Sequence, residues 1–243
     1  MTTQEKIKEF VYNDKNRFRA RYHDVMAGSG SRYWTFKTAL NLLLQRGNLK
    51  ILETGSQRLP ADWGAGCSSQ VFGDFCSRYG GHLISIDISR ENADFCSGLM
   101  AELGYSAQHK MICADSVAGM EEIRKAGSGV FGLIVLDSFD FPLGELLEIY
   151  GGKTDLDGAL AKLKQMTTEE VVTKHGSIIL PCQEHCLKEA KVADNLLDRD
   201  GLLLIDDTDL AGRGKGRLAI EWLLSNGWEI ILEDYQTLFQ RRK

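Results

Sequence analysis

The sequence has no apolar run close to the roughly 20 residues that a membrane-spanning helix needs. Its N-terminal stretch, MTTQEKIKEFVYNDKNRFRARYHD, is charged and lacks the apolar segment of a secretory signal peptide. Basic residues are not in excess, because 29 Lys and Arg stand against 34 Asp and Glu, and this net charge of -5 disfavours a nucleic-acid substrate. We therefore expect a cytoplasmic protein without a membrane or nucleic-acid partner.

Cysteine is too sparse to hold the fold together through disulfides. Six cysteines are scattered over 243 residues, so free thiols in a reducing compartment are expected. One local cluster, CQEHC, places Cys182, His185 and Cys186 close together. A structural zinc site needs four ligands, and no second cluster supplies the rest, so zinc is not expected.

The sequence does contain a regular alternation of short apolar runs and longer amphipathic stretches. The apolar runs predict strands at residues 50–53, 82–88, 108–114, 131–136 and 202–205. The amphipathic stretches predict helices at residues 35–45, 68–79, 91–103, 117–125, 184–197 and 216–225. Because the strand runs are continuously apolar, both faces of the sheet should be buried, which is typical of a parallel, doubly wound α/β fold.

The C-terminal end departs from this alternation. Two further strands are predicted at residues 228–232 and 237–240, and their connection is too short for a parallel crossover. We therefore expect one domain over residues 1–243, with a mostly parallel seven-stranded sheet that ends in an antiparallel hairpin. Residues 1–48 form an N-terminal helical segment in this interpretation, and residues 141–182 form an insertion at the rim of the sheet that could act as a lid.

Acidic residues end nearly every predicted strand. They are Glu53, Asp87, Asp115, Asp137 and the pair Asp206 and Asp207. A single acid in such a place is as often a helix N-cap, and Asp115 and Asp137 could both be caps. In an open α/β sheet, however, ligands bind outside the carboxyl ends of the strands, and acids that crowd one edge repel each other unless a ligand or a cation uses them. The series therefore favours a ligand site.

The glycine-rich segment ETGSQRLPADWGAGCSS, which follows the first strand, lacks the GxGxxG spacing that places a dinucleotide pyrophosphate on a helix. Asp87 ends the next strand about thirty residues later, where an acid can accept both ribose hydroxyls of an adenosine ligand. A nucleoside without phosphates is therefore favoured. S-adenosylmethionine is such a ligand, and its positive charges suit an acidic edge. The spacer SQRLPADW has no explanation in the sequence.

Five segments of the chain, taken in order, resemble the motifs of class I S-adenosylmethionine-dependent methyltransferases, and the resemblance covers residues 35–243. The segments are LETGS, SIDIS, ICADS, VLDSFD and LLLIDDT. The resemblance implies a Rossmann-like fold and S-adenosylmethionine as the cofactor. It also implies a set of cofactor-binding residues, namely Glu53, Gly55, Ser56, Gly66, Ser68, Ser69, Asp87, Ile88, Asp115, Ser116 and Asp137.

Within that class the sequence is most similar to small-molecule O-methyltransferases that bind magnesium. The resemblance implies Asp137, Asp206 and Asp207 as metal ligands, and hard carboxylate oxygens suit Mg²⁺, which can lower the pKa of an acceptor hydroxyl. Several relatives have a Lys or His three residues after the first metal ligand, where this chain has Asp140. The predicted catalytic residues are therefore Asp137 with Asp140 or His185 as the general base.

The predicted function is methylation of a small-molecule hydroxyl, assisted by a divalent metal. Four alternatives remain open: a metal-independent N- or C-methyltransferase, an aminopropyl transferase, an NAD-dependent oxidoreductase, and a non-catalytic binding module on the same fold. The sequence does not decide whether the chain forms a homo-oligomer.

Overall fold

The computed structural model describes residues 22–23, 26, 32–61, 63, 67–127 and 129–242. The predicted N-terminal helical segment is covered only in part, and Gly66 lies outside the described residues. No helix among the described residues is long and apolar enough to cross a membrane.

One seven-stranded sheet organises the chain. Its strands are β1 Lys50–Thr54, β2 His82–Asp87, β3 His109–Cys113, β4 Phe131–Leu136, β5 Leu197–Ile205, β6 Trp228–Glu233 and β7 Thr237–Arg241. They lie in the order β3-β2-β1-β4-β5-β7-β6. Strands β1 to β5 pair in parallel, and β7 is antiparallel to both β5 and β6. The predicted fold class, including the C-terminal hairpin, is confirmed.

Helices cover both faces of the sheet. They are α1 Arg32–Arg46, α2 Ser68–Tyr79, α3 Arg90–Glu102, α4 Ser116–Lys125, α5 Leu143–Ile149, α6 Leu156–Gln165, α7 Thr168–Leu196 and α8 Arg217–Ser225, with a 3₁₀ segment at Ala211–Gly216 before α8. Ile51 of β1 packs in the core cluster that α1 and α2 cover, whereas its neighbour Leu52 packs in the cluster under α4, α7 and α8. This two-sided burial explains why the strand runs are continuously apolar.

The segment 141–182 contains α5, α6 and the first half of α7. The sequence predicted a helix that starts at residue 184, and this boundary was wrong, because the helix already begins at Thr168 and contains Pro181, which lacks an amide hydrogen, in its interior. In the structure α7 begins after a capping box between Thr167 and Glu170 and continues through Pro181. Phe141, Leu146, Leu163, Val171 and Ile179 form a separate apolar cluster in this segment. That it acts as a lid stays a prediction.

Register brings the predicted acids to one edge. Thr54 of β1 is aligned with Ile86 of β2 and with Leu136 of β4, and Leu136 is aligned with Ile205 of β5. The residues that follow these positions therefore leave the sheet side by side, at its carboxyl edge.

Candidate active site

The turn after β1 is built on Gly55. Its φ of 79° lies in the left-handed region, and its amide donates to the Ile86 carbonyl at 2.8 Å. A Cβ at this position would overlap the carbonyl oxygen of Asp137. Glycine is therefore required here because the ends of β1 and β4 lie directly against each other.

Glu53 lies under this turn and is 1% exposed. Its carboxylate accepts hydrogen bonds from Ser68 at 2.9 Å, from Ser85 at 2.6 Å and from Ser69. Burial raises the pKa of Glu53 to about 7, although the three hydroxyl groups oppose this shift. Glu53 and Ser69 thus connect β1 to the start of α2 beneath the cavity floor, whereas Ser68 reaches the cavity wall.

A cavity of about 420 Å³ opens at this edge, a volume within the range of small-molecule sites. Of the residues predicted to bind the cofactor or to act as a base, it is lined by Gly55, Ser56, Ser68, Asp87, Ile88, Asp137 and Asp140. A second cavity of about 200 Å³ adjoins it and is lined by Asp115, Ser116 and His185 as well as by Gly55, Asp87 and Ile88.

Asp87 lies where the two cavities meet, and its carboxylate is oriented by four donors. One oxygen accepts from the amide and the hydroxyl of Ser56, each at 3.0 Å. The other accepts from the Ser89 amide at 2.9 Å and from the Asn92 side chain at 3.3 Å. The carboxylate is thereby held at the cavity surface while the side chain as a whole is 8% exposed.

The second cavity is apolar at its mouth and polar at its base. Ile88 is 72% exposed and Phe139 is 45% exposed on its rim. At its base the Nε2 atom of His185 lies 2.8 Å from the Ser116 hydroxyl. Asp115 caps α4 through the Ala118 amide, as the capping alternative proposed. His185 therefore faces the second cavity together with Ser116, and its assignment as a general base stays a prediction.

The spacer after the first glycine turn supplies Arg58 to the larger cavity. Its guanidinium makes a bidentate ion pair with Asp140, with distances of 2.8 and 3.1 Å. Both side chains are about half exposed or more, at 49% and 66%, so the pair contributes little to the stability of the fold. It brings one cation and one anion to the cavity mouth.

Asp137, Asp206 and Asp207 lie together, and each offers an oxygen within 4.8 Å of the other two. Two buried cations lie among them. Arg32 of α1 donates to both oxygens of Asp206, at 3.1 and 2.7 Å, and lies 3.5 Å from Asp207. Lys215 contacts Asp137 and lies 3.6 Å from Asp207.

No family model matches this sequence, and no curated protein matches it. An O-methyltransferase from Bacillus cereus, solved in complex with S-adenosylhomocysteine, superposes with a TM-score of 0.55 at 12% identity, over 100% of this chain and 98% of its own. TomG, an O-methyltransferase from Streptomyces achromogenes involved in tomaymycin synthesis and solved with S-adenosylmethionine, superposes with a TM-score of 0.52 at 14% identity over 100% of both chains. The chain has the class I methyltransferase fold.

On this methyltransferase fold the acid cluster does not suit a divalent metal. Mg²⁺ takes six oxygen ligands in octahedral geometry, several of them from water, and needs direct access to one or two carboxylates. Of the six carboxylate oxygens in the cluster, both of Asp206, both of Asp207 and one of Asp137 are in contact with Arg32, Lys215 or the hydroxyl of Tyr235, which donates to Asp207 at 2.6 Å. The metal site stays a prediction, and this arrangement does not favour it.

The cluster raises the pKa values of both Asp137 and Lys215. Burial raises the pKa of Asp137, and the charges of Asp206 and Asp207 raise it further against the opposing effect of Lys215. Burial lowers the pKa of Lys215, but the three carboxylates outweigh it and hold that pKa well above its ordinary value. The three carboxylates therefore favour the charged form of Lys215.

Neither Arg32 nor Lys215 was predicted from the sequence to lie at the acid cluster. Arg32 lies 174 residues from Asp206 along the chain, and nothing in its surroundings marks it. Lys215 carries a signal that could have been used, since it stands between glycines in GRGKG shortly after the acidic pair. Gly214 has a φ of 52°, and a Cβ there would overlap the carbonyl oxygen of Asp207. The glycine thus lets the chain double back so that Lys215 reaches the acids.

Proposed function

We propose that this protein is an S-adenosylmethionine-dependent methyltransferase that methylates a hydroxyl group of a small-molecule acceptor. The observation that carries the proposal is the pair of adjoining cavities that meet at the Asp87 carboxylate, at the carboxyl edge of β1, β2 and β4. Ligands of open α/β sheets bind at this edge, and an acid at the end of the second strand suits ribose hydroxyls.

The side chains that line the two cavities suit the two ends of the cofactor. The smaller one has a rim of Ile88 and Phe139 with polar atoms at its base, which suits a flat heteroaromatic base. In the larger one, Arg58 would bind a carboxylate and Asp140 an ammonium group, the two charged groups of a methionine moiety. The spacer then has a role, which is to supply Arg58.

Oxygen is the acceptor atom that the site favours. Asp137 lines the larger cavity and its side chain is 26% exposed, so its carboxylate can reach an acceptor hydroxyl. Bound S-adenosylmethionine supplies an electrophilic methyl group. In the transfer the acceptor oxygen would bond to the methyl carbon as the sulfonium–methyl bond breaks, with S-adenosylhomocysteine as the leaving group. Asp137 would take the hydroxyl proton, a role of general base that its raised pKa suits. Both solved structures named above are O-methyltransferases, which supports oxygen over nitrogen or carbon.

Calorimetry tests the cofactor. The unmodified protein should bind S-adenosylmethionine and not NAD, and Asp87→Ala should lose that binding because the ribose hydroxyls lose their acceptor. Asp94→Ala, which removes an exposed acid on α3, is the matched control and should bind normally. Binding of NAD would favour the oxidoreductase alternative. An unchanged affinity of Asp87→Ala for S-adenosylmethionine would contradict the assignment of Asp87 to the ribose. Binding without turnover of phenol, catechol, sugar or hydroxy-acid acceptors would favour the binding module.

A further inference from the structure

Lys215 lies between two of the three acids of the cluster, Asp137 and Asp207. Its side chain is 2% exposed, and its ammonium group contacts Asp137 and lies 3.6 Å from Asp207. On the far side of the cluster, Asp206 is 1% exposed and both its oxygens are held by Arg32. A buried lysine is destabilising unless it is paired, and here carboxylates surround it.

The backbone is built to deliver this lysine. Lys215 belongs to the segment Ala211–Gly216, in which Gly212, Arg213 and Gly214 all have positive φ values. Gln183 of α7 is fully buried and donates to the Gly214 carbonyl at 2.8 Å. The buried Gln183 side chain holds this strained turn in place, and the turn fixes the position of the Lys215 ammonium group. A flexible lysine on the surface would have no such fixed position.

The charges of the cluster balance closely without an ion. Three carboxylates face one guanidinium and one ammonium group, which leaves a single negative charge if all five groups are ionised. A divalent ion bound by all three acids would lie close to the Lys215 ammonium group, which contacts Asp137 and lies 3.6 Å from Asp207. The repulsion between two such cations in a buried site is strong.

We propose that Lys215 is the resident cation of this cluster: its ammonium group takes the place that a divalent metal ion would occupy, so that the protein binds no metal at Asp137, Asp206 and Asp207. Lys215 contacts Asp137 and not the cavity, so it is a positioning residue that holds the Asp137 carboxylate toward the acceptor.

A cluster without a metal ion also limits which acceptor molecules the site can use, a conclusion that rests on the proposed function. A metal ion can hold two adjacent substrate oxygens at once. A buried ammonium group that acts through one carboxylate cannot hold two substrate oxygens in this way. The acceptor is therefore a molecule that presents a single hydroxyl to Asp137, and a vicinal pair of oxygens gives no advantage.

Manganese binding tests the resident cation without any methyl transfer. Mn²⁺ is titrated into the unmodified protein, Lys215→Met and Lys153→Met, and bound ion is counted by electron paramagnetic resonance. Lys153 is an exposed lysine paired with Glu148 and is the matched control. We expect no Mn²⁺ on the unmodified protein or on the control, and one Mn²⁺ per chain on Lys215→Met that is lost again in Lys215→Met/Asp137→Asn.

Two results would overturn the inference. One is Mn²⁺ bound to the unmodified protein and lost in Asp137→Asn. The other is a folded Lys215→Met that gains no ion. If Lys215→Met does not fold, the amount of Mn²⁺ bound to the unmodified protein is the test. Stoichiometric Mn²⁺ at Asp137 contradicts the proposal, and the absence of bound Mn²⁺ supports it. For the acceptor, turnover of a monohydroxyl compound should survive a chelator. A protein that turns over no acceptor contradicts the proposed function and leaves the Mn²⁺ result intact.

Discussion

Replacing Arg32 by methionine removes one partner of a buried ion pair and leaves the other in place. Arg32 and Asp206 are 5% and 1% exposed at their side chains, and two hydrogen bonds join them. Breaking such a pair costs about 3–5 kcal/mol, because a charge is left without its counter-charge. For a chain of this size each kcal/mol lowers the melting temperature by about 2–4 °C, so Arg32→Met should melt roughly 6–20 °C lower.

Thermal and urea unfolding of four variants, Arg32→Met, Asp206→Asn, Arg32→Met/Asp206→Asn and Arg124→Met, would measure this effect. Arg124→Met breaks the exposed pair with Glu121 and should cost less than about 1 kcal/mol. Arg32→Met/Asp206→Asn removes both charges, and we expect it to recover part of the loss, which a double-mutant cycle reports as coupling between the two residues.

The pH dependence of Arg32→Met follows from the same pair. Burial alone raises the pKa of Asp206, and in the unmodified protein Arg32 outweighs this and lowers it. Without Arg32 we expect burial to raise the folded-state pKa of Asp206 above the unfolded value against the smaller opposing effects of Lys215 and Gln236, so the folded state should bind the proton more tightly. The stability deficit of Arg32→Met should then shrink as the pH falls from 8 to 5. A deficit below 1 kcal/mol, or one independent of pH, would refute the reasoning.

Two further substitutions have distinct expected results. Glu53 has a folded-state pKa of about 7 against an ordinary value of 4.5, so the stability of the protein falls as the pH rises through this interval. Glu53→Gln should flatten this dependence of stability on pH in urea unfolding between pH 4.5 and 7. An unchanged slope would contradict the assignment of Glu53 as a buried carboxyl group. Arg58→Gln should weaken S-adenosylmethionine binding by roughly tenfold, the loss of one charged contact, with little change in melting temperature, because its pair with Asp140 is exposed. Equal affinity in calorimetry would remove Arg58 from the site.

The order of strands and the acidic edge could be predicted because both depend on local patterns. Residues 68–79 and 131–136 were assigned with the observed boundaries, since an amphipathic period and a continuous apolar run each mark one element. Strand register then brings Asp87, Asp137 and Asp206 to one edge whatever the details of the loops. Each of these features is determined by a few neighbouring residues.

The partners of the acids could not be predicted in this way. Arg32, Lys215 and Tyr235 reach the cluster from α1, the 3₁₀ segment and the β6–β7 turn, and no local pattern shows that these segments meet. The acids alone therefore indicated a metal, whereas the side chains that surround them supply most of the counter-charge. The start of α7 was missed for a related reason, because the apolar contacts that accompany a helix through Pro181 come from other helices.

Pro181 makes helix α7 easier to bend at one turn. Proline has no amide hydrogen, so the carbonyl of Ser177 loses its partner in the helix, and the helix resists bending least at this turn. On one side of the turn lies the cluster formed by the segment 141–182. On the other, two residues away, Gln183 holds the glycines that carry Lys215. One helix therefore joins the apolar cluster of the segment 141–182 to the turn that positions Lys215 beside Asp137, with its weakest backbone hydrogen bonding between the two.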